Sequence, residues 1–177
     1  MKLVVLDRDG TINHDSDEYI KSPSEWKPIK GSLEGIARLS QAGWRVVVAT
    51  NQSGMARGLF DVAALNAIHD AMHRAVAQAG GRIDAIFFCP HAPEAGCECR
   101  KPKPGMLREI ADRMNLDLAD VPVIGDSLRD TQAAAAAGAR PFLVLTGNGR
   151  RTYETGGLPE GTLVFADLAT AAEYLAL

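Results

Sequence analysis

Cysteine is scarce in this chain of 177 residues, which contains only three. All three lie between Cys89 and Cys99, so they cannot join distant parts of the fold as the disulfides of small secreted proteins do. Long apolar runs are absent as well. The first one, residues 3–6, meets charge at once and is too short for a signal peptide or a membrane span. We therefore expect a cytoplasmic protein with no membrane partner.

Blocks of one charge sign are also lacking. The 19 basic and 22 acidic side chains are interspersed, and the net charge is −3. Without a basic stripe, we expect no nucleic-acid partner. Hydrophobic residues make up 46% of the chain, which suits one domain with a full core over residues 1–177. We expect this domain to be a monomer.

Strand-like and helix-like segments alternate along the chain. Short, β-rich apolar runs stop at polar residues, and segments with apolar residues at helical spacing separate them. Near-continuous apolar strands of this kind are typical of a parallel sheet covered on both faces. The sequence therefore predicts a doubly wound α/β fold with a mostly parallel sheet. The predicted strands are 2–7, 44–51, 83–89, 121–126, 140–147 and a short one after 162, and the predicted helices are 32–43, 61–81, 105–116, 129–139 and one near the C-terminus.

Polar residues follow several of these strands directly. Asp7 and Asp9 come after the first strand, Thr50 and Asn51 end the second, and Asp126 ends the fourth. Ligands of open α/β sheets bind at the carboxyl ends of the strands, so we expect these side chains to meet there. Three converging carboxylates require a counter-charge, and oxygen ligands suit Mg²⁺. The alternative is that each aspartate only caps a turn.

Groups suited to a phosphoryl anion follow the same strands. The hydroxyl of Thr50 and the backbone N–H groups of residues 51–54 (Asn51, Gln52, Ser53 and Gly54) can face an anion. A cation is available from Lys101 or Lys103, and the composition does not choose between these two lysines.

Four motifs carry a family resemblance: "DRDGT", "VVVATNQSG", "RKPKPGM" and "VIGDSLRD". In their order and spacing the chain resembles the haloacid dehalogenase-like (HAD-like) phosphatases, and more closely their D-glycero-D-manno-heptose 1,7-bisphosphate 7-phosphatases. The resemblance covers essentially the whole chain. It implies a magnesium-dependent phosphatase that removes the 7-phosphate of this sugar in bacterial lipopolysaccharide precursor synthesis. Since the segments between the motifs are filled by predicted helices and strands, we expect no inserted cap domain and an open site.

The resemblance also implies roles for individual residues. Asp7 is expected to be the nucleophile that forms an aspartyl-phosphate, and Asp9 the general acid and base. Mg²⁺ is expected on Asp7, the backbone carbonyl of Asp9, and Asp126. Thr50 and Lys101 are expected to hold the phosphoryl oxygens, Lys101 because it precedes the first proline of the third motif.

The cysteine-rich segment offers three thiolates and one imidazole, the composition of a closed tetrahedral zinc site. A redox role is the alternative, but no Cys-x-x-Cys is present. The resemblance implies a structural zinc in this loop. The expected zinc ligands are Cys89, His91, Cys97 and Cys99.

An open site must select its substrate through contacts at its rim. The guanidinium of Arg100 suits a second phosphate, and Arg57 can add positive charge. Residues 14–28, with Asp15 and Tyr19 among the expected substrate contacts, form another part of the rim. Asp130 is expected to orient the catalytic groups, or else only to begin a helix.

Two histidines, His69 and His73, lie one turn apart on a predicted helix. Since both fall among polar residues, we expect them on its solvated surface.

Two other functions are consistent with the same residues. One is a histidinol-phosphate phosphatase, since that family shares the zinc pattern. The other is a non-catalytic binder of a phosphorylated ligand, although the presence of Asp7, Asp9, Lys101 and Asp126 argues against it.

Overall fold

Six parallel strands form a single sheet. The computed structural model describes all residues, 1–177. The strands are β1 (Lys2–Leu6), β2 (Trp44–Asn51), β3 (Ala85–Cys89), β4 (Pro122–Gly125), β5 (Arg140–Val144) and β6 (Leu163–Phe165). Their order in the sheet is β3-β2-β1-β4-β5-β6. All five strand pairings are parallel, so the predicted fold class is confirmed.

Five helices connect these strands and a sixth follows the last one: α1 (Ser32–Gln41), α2 (Val62–Gln78), α3 (Gly105–Met114), α4 (Leu128–Ala136), α5 (Gly149–Thr155) and α6 (Leu168–Leu175). No inserted domain interrupts them. Short 3₁₀ turns at Pro23–Glu25 and Pro93–Ala95 lie in the two longest connections. None of the helices combines the length and the apolar character that crossing a membrane requires.

The two cores follow from the alternation of side chains along each strand. Val4 and Leu6 of β1 pack with α1, α2 and α6, whereas Leu3 and Val5 pack on the opposite face with α3 and α4. Since every one of these four side chains is buried, the sheet is covered on both faces, which explains the uniformly apolar strands.

One helix was not predicted, and one expectation from the sequence is wrong. The segment Gly149–Thr155 forms helix α5, which is not among the predicted helices. His69 is not on a solvated surface, since it is 7% exposed and lies on the buried face of α2, while His73 is exposed. An analysis of helical spacing counts histidine as a polar residue. It contains no information about Arg8, the buried partner that His69 contacts from another segment.

The topology places a crevice above β1 and β4. Successive strands are added in opposite directions from this point of the sheet. β2 and β3 follow on one side of β1, whereas β4, β5 and β6 follow on the other side. Connections diverge at such a point and leave room for a ligand at the carboxyl ends of the strands. Asp7 follows β1 and Asp126 follows β4, so both carboxylates lie at this crevice.

Candidate active site

A polar cavity of about 340 Å³ lies at the carboxyl edge of the sheet. It brings together every site residue expected from the sequence outside the cysteine-rich loop. Only one of its 19 lining residues is hydrophobic, so the cavity suits a charged ligand. The expected residues that line it are Asp7, Asp9, Asp15, Tyr19, Thr50, Asn51, Gln52, Ser53, Arg57, Arg100, Lys101 and Asp126.

A buried lysine lies at the base of this cavity. The ammonium group of Lys101 donates to Asp7 Oδ1 at 2.9 Å, to Asp130 Oδ1 at 2.7 Å and to the backbone carbonyl of Ala49 at 2.7 Å. These three acceptors match its three N–H donors. The backbone of Lys101 is held as well, because the Asn51 side chain donates to its carbonyl and accepts from its N–H, both at 3.1 Å. Lys103, in contrast, is exposed, and its Nζ lies 3.5 Å from Glu98 Oε1.

Charge at this lysine is balanced by two carboxylates. Burial alone would lower the pKa of Lys101, but Asp130 and Asp7 outweigh it and hold the pKa above its ordinary value. Burial raises the pKa of Asp7, and the nearby carboxylates of Asp130 and Asp126 add to the rise more than Lys101 opposes it. The site therefore carries more negative charge than Lys101 alone neutralises.

Asp130 combines two tasks. Its Oδ1 accepts from Lys101, while its Oδ2 accepts from the backbone N–H and the hydroxyl of Ser127 at 3.0 and 2.8 Å. Ser127 in turn caps the start of α4, so the two residues form a capping box. Burial would raise the pKa of Asp130, but Lys101 and Ser127 lower it below its ordinary value. Both of its oxygens are thus already engaged by protein donors.

Asp7 and Asp126 remain as the available carboxylates. Ligand atoms of Asp7, Asp126 and Asp130 lie within 4.8 Å of one another. Burial and the charge of Asp130 raise the pKa of Asp126 to about 7. Gly10, at φ 85°, passes so close that a Cβ there would overlap the Asp126 carboxylate. A crowded set of oxygen ligands with unbalanced negative charge is what a small divalent cation fits.

Asp9 is held by four donors. Its Oδ1 accepts from Arg8 Nε at 2.8 Å and from Asn13 Nδ2 at 2.9 Å, and its Oδ2 accepts from Arg8 Nη2 and Gln52 Nε2, each at 3.1 Å. Burial would raise the pKa of Asp9, but Arg8 and the other donors together lower it. Asp9 is therefore ionised in the free site.

Thr50 and Gln52 are tied to this carboxylate. Gln52 Nε2 donates to the hydroxyl of Thr50 at 2.9 Å as well as to Asp9. The expectation that the backbone N–H of Gln52 faces an anion is wrong, because that group donates to the carbonyl of Cys89 at 2.8 Å. The backbone of Gln52 thus continues the hydrogen bonding between β2 and β3 by one residue. The sequence "NQSG", with its glycine, suggests a turn and does not indicate this continuation.

Exposed and half-buried side chains form the rim. The guanidinium of Arg57 lies 6.0 Å from the ring centroid of Tyr19, and Asn148 reaches Asp15 Oδ2 at 3.4 Å. Arg100 also lines the cavity, and its Nη1 donates to the carbonyl of His91 at 3.5 Å.

Three contributors lack any clear signal in the sequence. Arg129 and Asn148 line the cavity, and Arg8 holds Asp9 from a fully buried position. For Arg129, its place beside Asp130 in the fourth motif is the one hint. Arg8 also stands inside a motif, but a charged residue next to two aspartates gives no sign that it turns inward.

The three cysteines and His91 come together beside the cavity. Their ligand atoms lie within 4.8 Å of one another, and the cysteines form no disulfide. Cys89 Sγ is 3.7 Å from Cys97 Sγ and 3.5 Å from His91 Nδ1, while Cys99 Sγ is 2.9 Å from Cys89 Sγ. Two sulfurs bound to one tetrahedral zinc at about 2.3 Å each lie about 3.8 Å apart. The separation of Cys89 Sγ from Cys97 Sγ matches this distance, whereas Cys99 Sγ would move away from Cys89 Sγ for both to bind one ion.

The thiols also have the charge environment of a metal site. Burial would raise the pKa of Cys97, but the backbone N–H of Arg100 and the neighbouring thiols lower it to about 6. Burial and the other sulfurs raise the pKa of Cys99 to about 12. Deprotonating all three thiols therefore requires a cation among them.

Comparisons with known proteins give a consistent result. A sequence profile described as HAD-hydrolase-like matches residues 98–171. The D-glycero-beta-D-manno-heptose-1,7-bisphosphate 7-phosphatase of Bordetella bronchiseptica is 67% identical over 175 residues, which cover 99% of this chain and 98% of that protein. The protein of the same name from Pseudomonas putida is 56% identical over 99% of both chains.

A solved structure agrees as well. It is described as D,D-heptose 1,7-bisphosphate phosphatase from B. bronchiseptica complexed with magnesium and phosphate. It superposes on this chain with a TM-score of 0.98 at 67% identity, and the match covers 99% of this chain and 98% of the other.

The buried ion pair generates a testable prediction. Asp130→Asn keeps the shape of the side chain but removes its charge, so Lys101 keeps only one carboxylate. We expect the free energy of unfolding to fall by roughly 3 kcal/mol, because a buried charge is left partly uncompensated. Urea denaturation measures this change. Asp112→Asn, at an exposed carboxylate on α3, is the matched control. Equal urea midpoints for Asp130→Asn and wild type would show that the pair contributes nothing.

Proposed function

Because the chain belongs to the family of D-glycero-β-D-manno-heptose-1,7-bisphosphate 7-phosphatases, within the HAD-like hydrolases, we propose that it removes the 7-phosphate of this sugar. Residues 1–177 act as one catalytic domain. The pathway is bacterial lipopolysaccharide precursor synthesis. The observation that carries the proposal is the pairing of Asp7 with the buried Lys101 at 2.9 Å, beside Asp126, at the edge of the sheet.

Asp7, Asp126 and the backbone carbonyl of Asp9 would hold Mg²⁺. The first two residues supply the carboxylates whose charge is not balanced by Lys101, and Asp9 offers only its carbonyl because four donors occupy its carboxylate. Bound there, Mg²⁺ neutralises negative charge on the transferring phosphoryl group.

In the first half-reaction, a carboxylate oxygen of Asp7 attacks the phosphorus atom of the 7-phosphate. The bond from phosphorus to the sugar oxygen breaks, and a proton from Asp9 goes to that oxygen. Since Asp9 is ionised in the free site, it takes up this proton from solvent as the phosphoryl dianion arrives, because adjacent negative charge raises a carboxyl pKa. One of the four hydrogen bonds to its carboxylate is given up in this step. The products are heptose 1-phosphate and an aspartyl-phosphate.

In the second half-reaction, Asp9 accepts a proton from water while the water oxygen attacks the phosphorus atom. The bond between phosphorus and the Asp7 oxygen breaks, and inorganic phosphate leaves. Lys101 holds the Asp7 carboxylate in place throughout, and Thr50 lines the same cavity, where its hydroxyl would contact the phosphoryl oxygens. Catalysis is then mainly positioning and charge neutralisation.

Substrate choice depends on positive charge at the rim. Arg57, Arg100 and Arg129 all line the cavity. A guanidinium can bind a phosphate with two parallel hydrogen bonds. A bisphosphate leaves its second phosphate for these arginines, whereas the ammonium of histidinol phosphate would be repelled by them.

Zinc at Cys89, His91, Cys97 and Cys99 would be structural. All four ligand positions are supplied by the protein, which leaves no open position for chemistry. The two residues after Cys99 are Arg100 and Lys101, so the metal would fix the loop that carries both cations into the cavity.

The covalent route is tested by Asp7→Asn. The variant should lose activity by roughly a thousandfold or more, because the amide is a poor nucleophile. Phosphate release from heptose 1,7-bisphosphate with Mg²⁺ measures this loss, and EDTA should abolish the wild-type rate. Near-normal turnover by Asp7→Asn would end the covalent proposal.

Substrate selectivity is tested by comparing kcat/KM for heptose 1,7-bisphosphate with kcat/KM for histidinol phosphate. We expect the bisphosphate to be strongly preferred. Arg100→Ala should lower kcat/KM for the bisphosphate roughly ten- to hundredfold, because it removes charged hydrogen bonds to the second phosphate. The same variant should change the value for p-nitrophenyl phosphate little. Equal kcat/KM for the two natural substrates would favour the histidinol-phosphate assignment.

The zinc assignment is tested by elemental analysis. The purified protein should contain about one zinc per chain, and Cys97→Ser should lose most of it, because the serine hydroxyl is a poor zinc ligand. Increased proteolysis of the loop should accompany the loss. Wild-type protein that contains no zinc, with three titratable thiols in an ordered loop, would contradict the assignment.

A further inference from the structure

A buried imidazole lies outside the catalytic scheme. His69, on helix α2, is 7% exposed, and its Nε2 lies 3.1 Å from Arg8 Nη1. Its neighbours on the same helix face, Leu65, Ile68 and Met72, are fully buried and apolar. A polar ring at such a position requires a specific partner, and Arg8 is that partner.

Arg8 connects His69 to the candidate acid–base residue. The guanidinium is fully buried and points its Nε and Nη2 toward the two carboxylate oxygens of Asp9. Its third direction, Nη1, points to His69. The two bonds to Asp9 and the one to His69 together define the plane of the guanidinium, since arginine carries its donors in a rigid fork.

The direction of the hydrogen bond follows from the chemistry. A guanidinium has only donors, so His69 Nε2 must accept, and the ring proton lies on Nδ1. Burial, assisted by the adjacent charge of Arg8, lowers the pKa of His69 to about 3. The ring is therefore neutral at physiological pH and keeps its acceptor.

We propose that His69 is a positioning residue: it accepts a hydrogen bond from Arg8 and thereby fixes the guanidinium that orients the Asp9 carboxylate toward the leaving oxygen. The inference rests on the proposed acid–base role of Asp9. Without an acceptor at position 69, the buried Nη1 has no partner there, and the guanidinium shifts to find one. The Asp9 carboxylate moves with it.

The consequence depends on the leaving group. A sugar alkoxide must be protonated as it leaves, so phosphoenzyme formation from heptose 1,7-bisphosphate depends on a well-placed Asp9. Nitrophenolate is a weak base and needs little protonation. Since kcat/KM covers only the steps up to release of the alcohol, it separates this effect from hydrolysis of the phosphoenzyme.

The test compares His69→Phe, which keeps an aromatic ring without an acceptor, with His69→Gln, whose amide oxygen can accept from Arg8. We expect His69→Phe to lower kcat/KM for the bisphosphate at least tenfold, mainly through kcat, and to lower kcat/KM for p-nitrophenyl phosphate less than threefold. His69→Gln should recover most of the lost activity. His73→Phe, at the exposed histidine one turn along α2, is the matched control and should behave like wild type.

Two outcomes would overturn the inference: an equal loss on both substrates by His69→Phe, or wild-type activity of that variant on the bisphosphate. If His69→Phe does not fold, His69→Leu, smaller and also without an acceptor, is judged by the same comparison. Asp9→Asn separates this inference from its premise. If Asp9→Asn lowers kcat/KM equally for both substrates, the role of Asp9 is wrong. If Asp9→Asn lowers kcat/KM more for the bisphosphate than for p-nitrophenyl phosphate, but His69→Phe does not, the role of His69 is wrong.

Discussion

The buried ammonium of Lys101 connects the parts of the fold that form the site. It joins Asp7 after β1, the carbonyl of Ala49 in β2 and Asp130 in the first turn of α4. A buried cation is stable only when its donors are all paired. Each of these elements must therefore be in place before the others are fully stabilised, and the cysteine-rich loop must deliver the lysine at the correct depth.

Neighbouring carboxylates in this site have opposite tendencies to hold a proton. Burial and mutual repulsion raise the pKa of Asp7 and Asp126, whereas ion pairs and donated hydrogen bonds lower the pKa of Asp9 and Asp130. The difference comes from partners and not from residue type. Asp9 and Asp130 are held by protein donors. Asp7 and Asp126 keep negative charge, which a cation bound between them and a phosphoryl group can neutralise.

Support for the site comes from two sides of the sheet. On one side the cysteine cluster shapes the connection after β3, which carries Arg100 and Lys101. On the other side, helix α2 carries His69, which contacts Arg8. Arg8 in turn holds the carboxylate of Asp9. Neither cysteine cluster nor histidine lines the cavity, yet each contacts or carries residues that do.

Fold class, and the edge of the sheet at which the site lies, are predictable from the order of the residues. Strand-like runs that end in Asp7, Thr50 and Asp126 require these side chains to meet, because parallel strands share one carboxyl edge. These features can be predicted because the periodicity of a strand and the order of the elements depend only on residues that are close in the sequence.

Which polar residues turn inward depends on contacts between distant segments of the chain. The residue pattern left Lys101 and Lys103 equivalent, and only the packed loop buries the first and leaves the second in solvent. The same holds for His69 and His73, for the inward turn of Arg8, and for Arg129 at the rim. A charged side chain is buried when a partner from a distant segment compensates it, and periodicity along one segment contains no information about that partner.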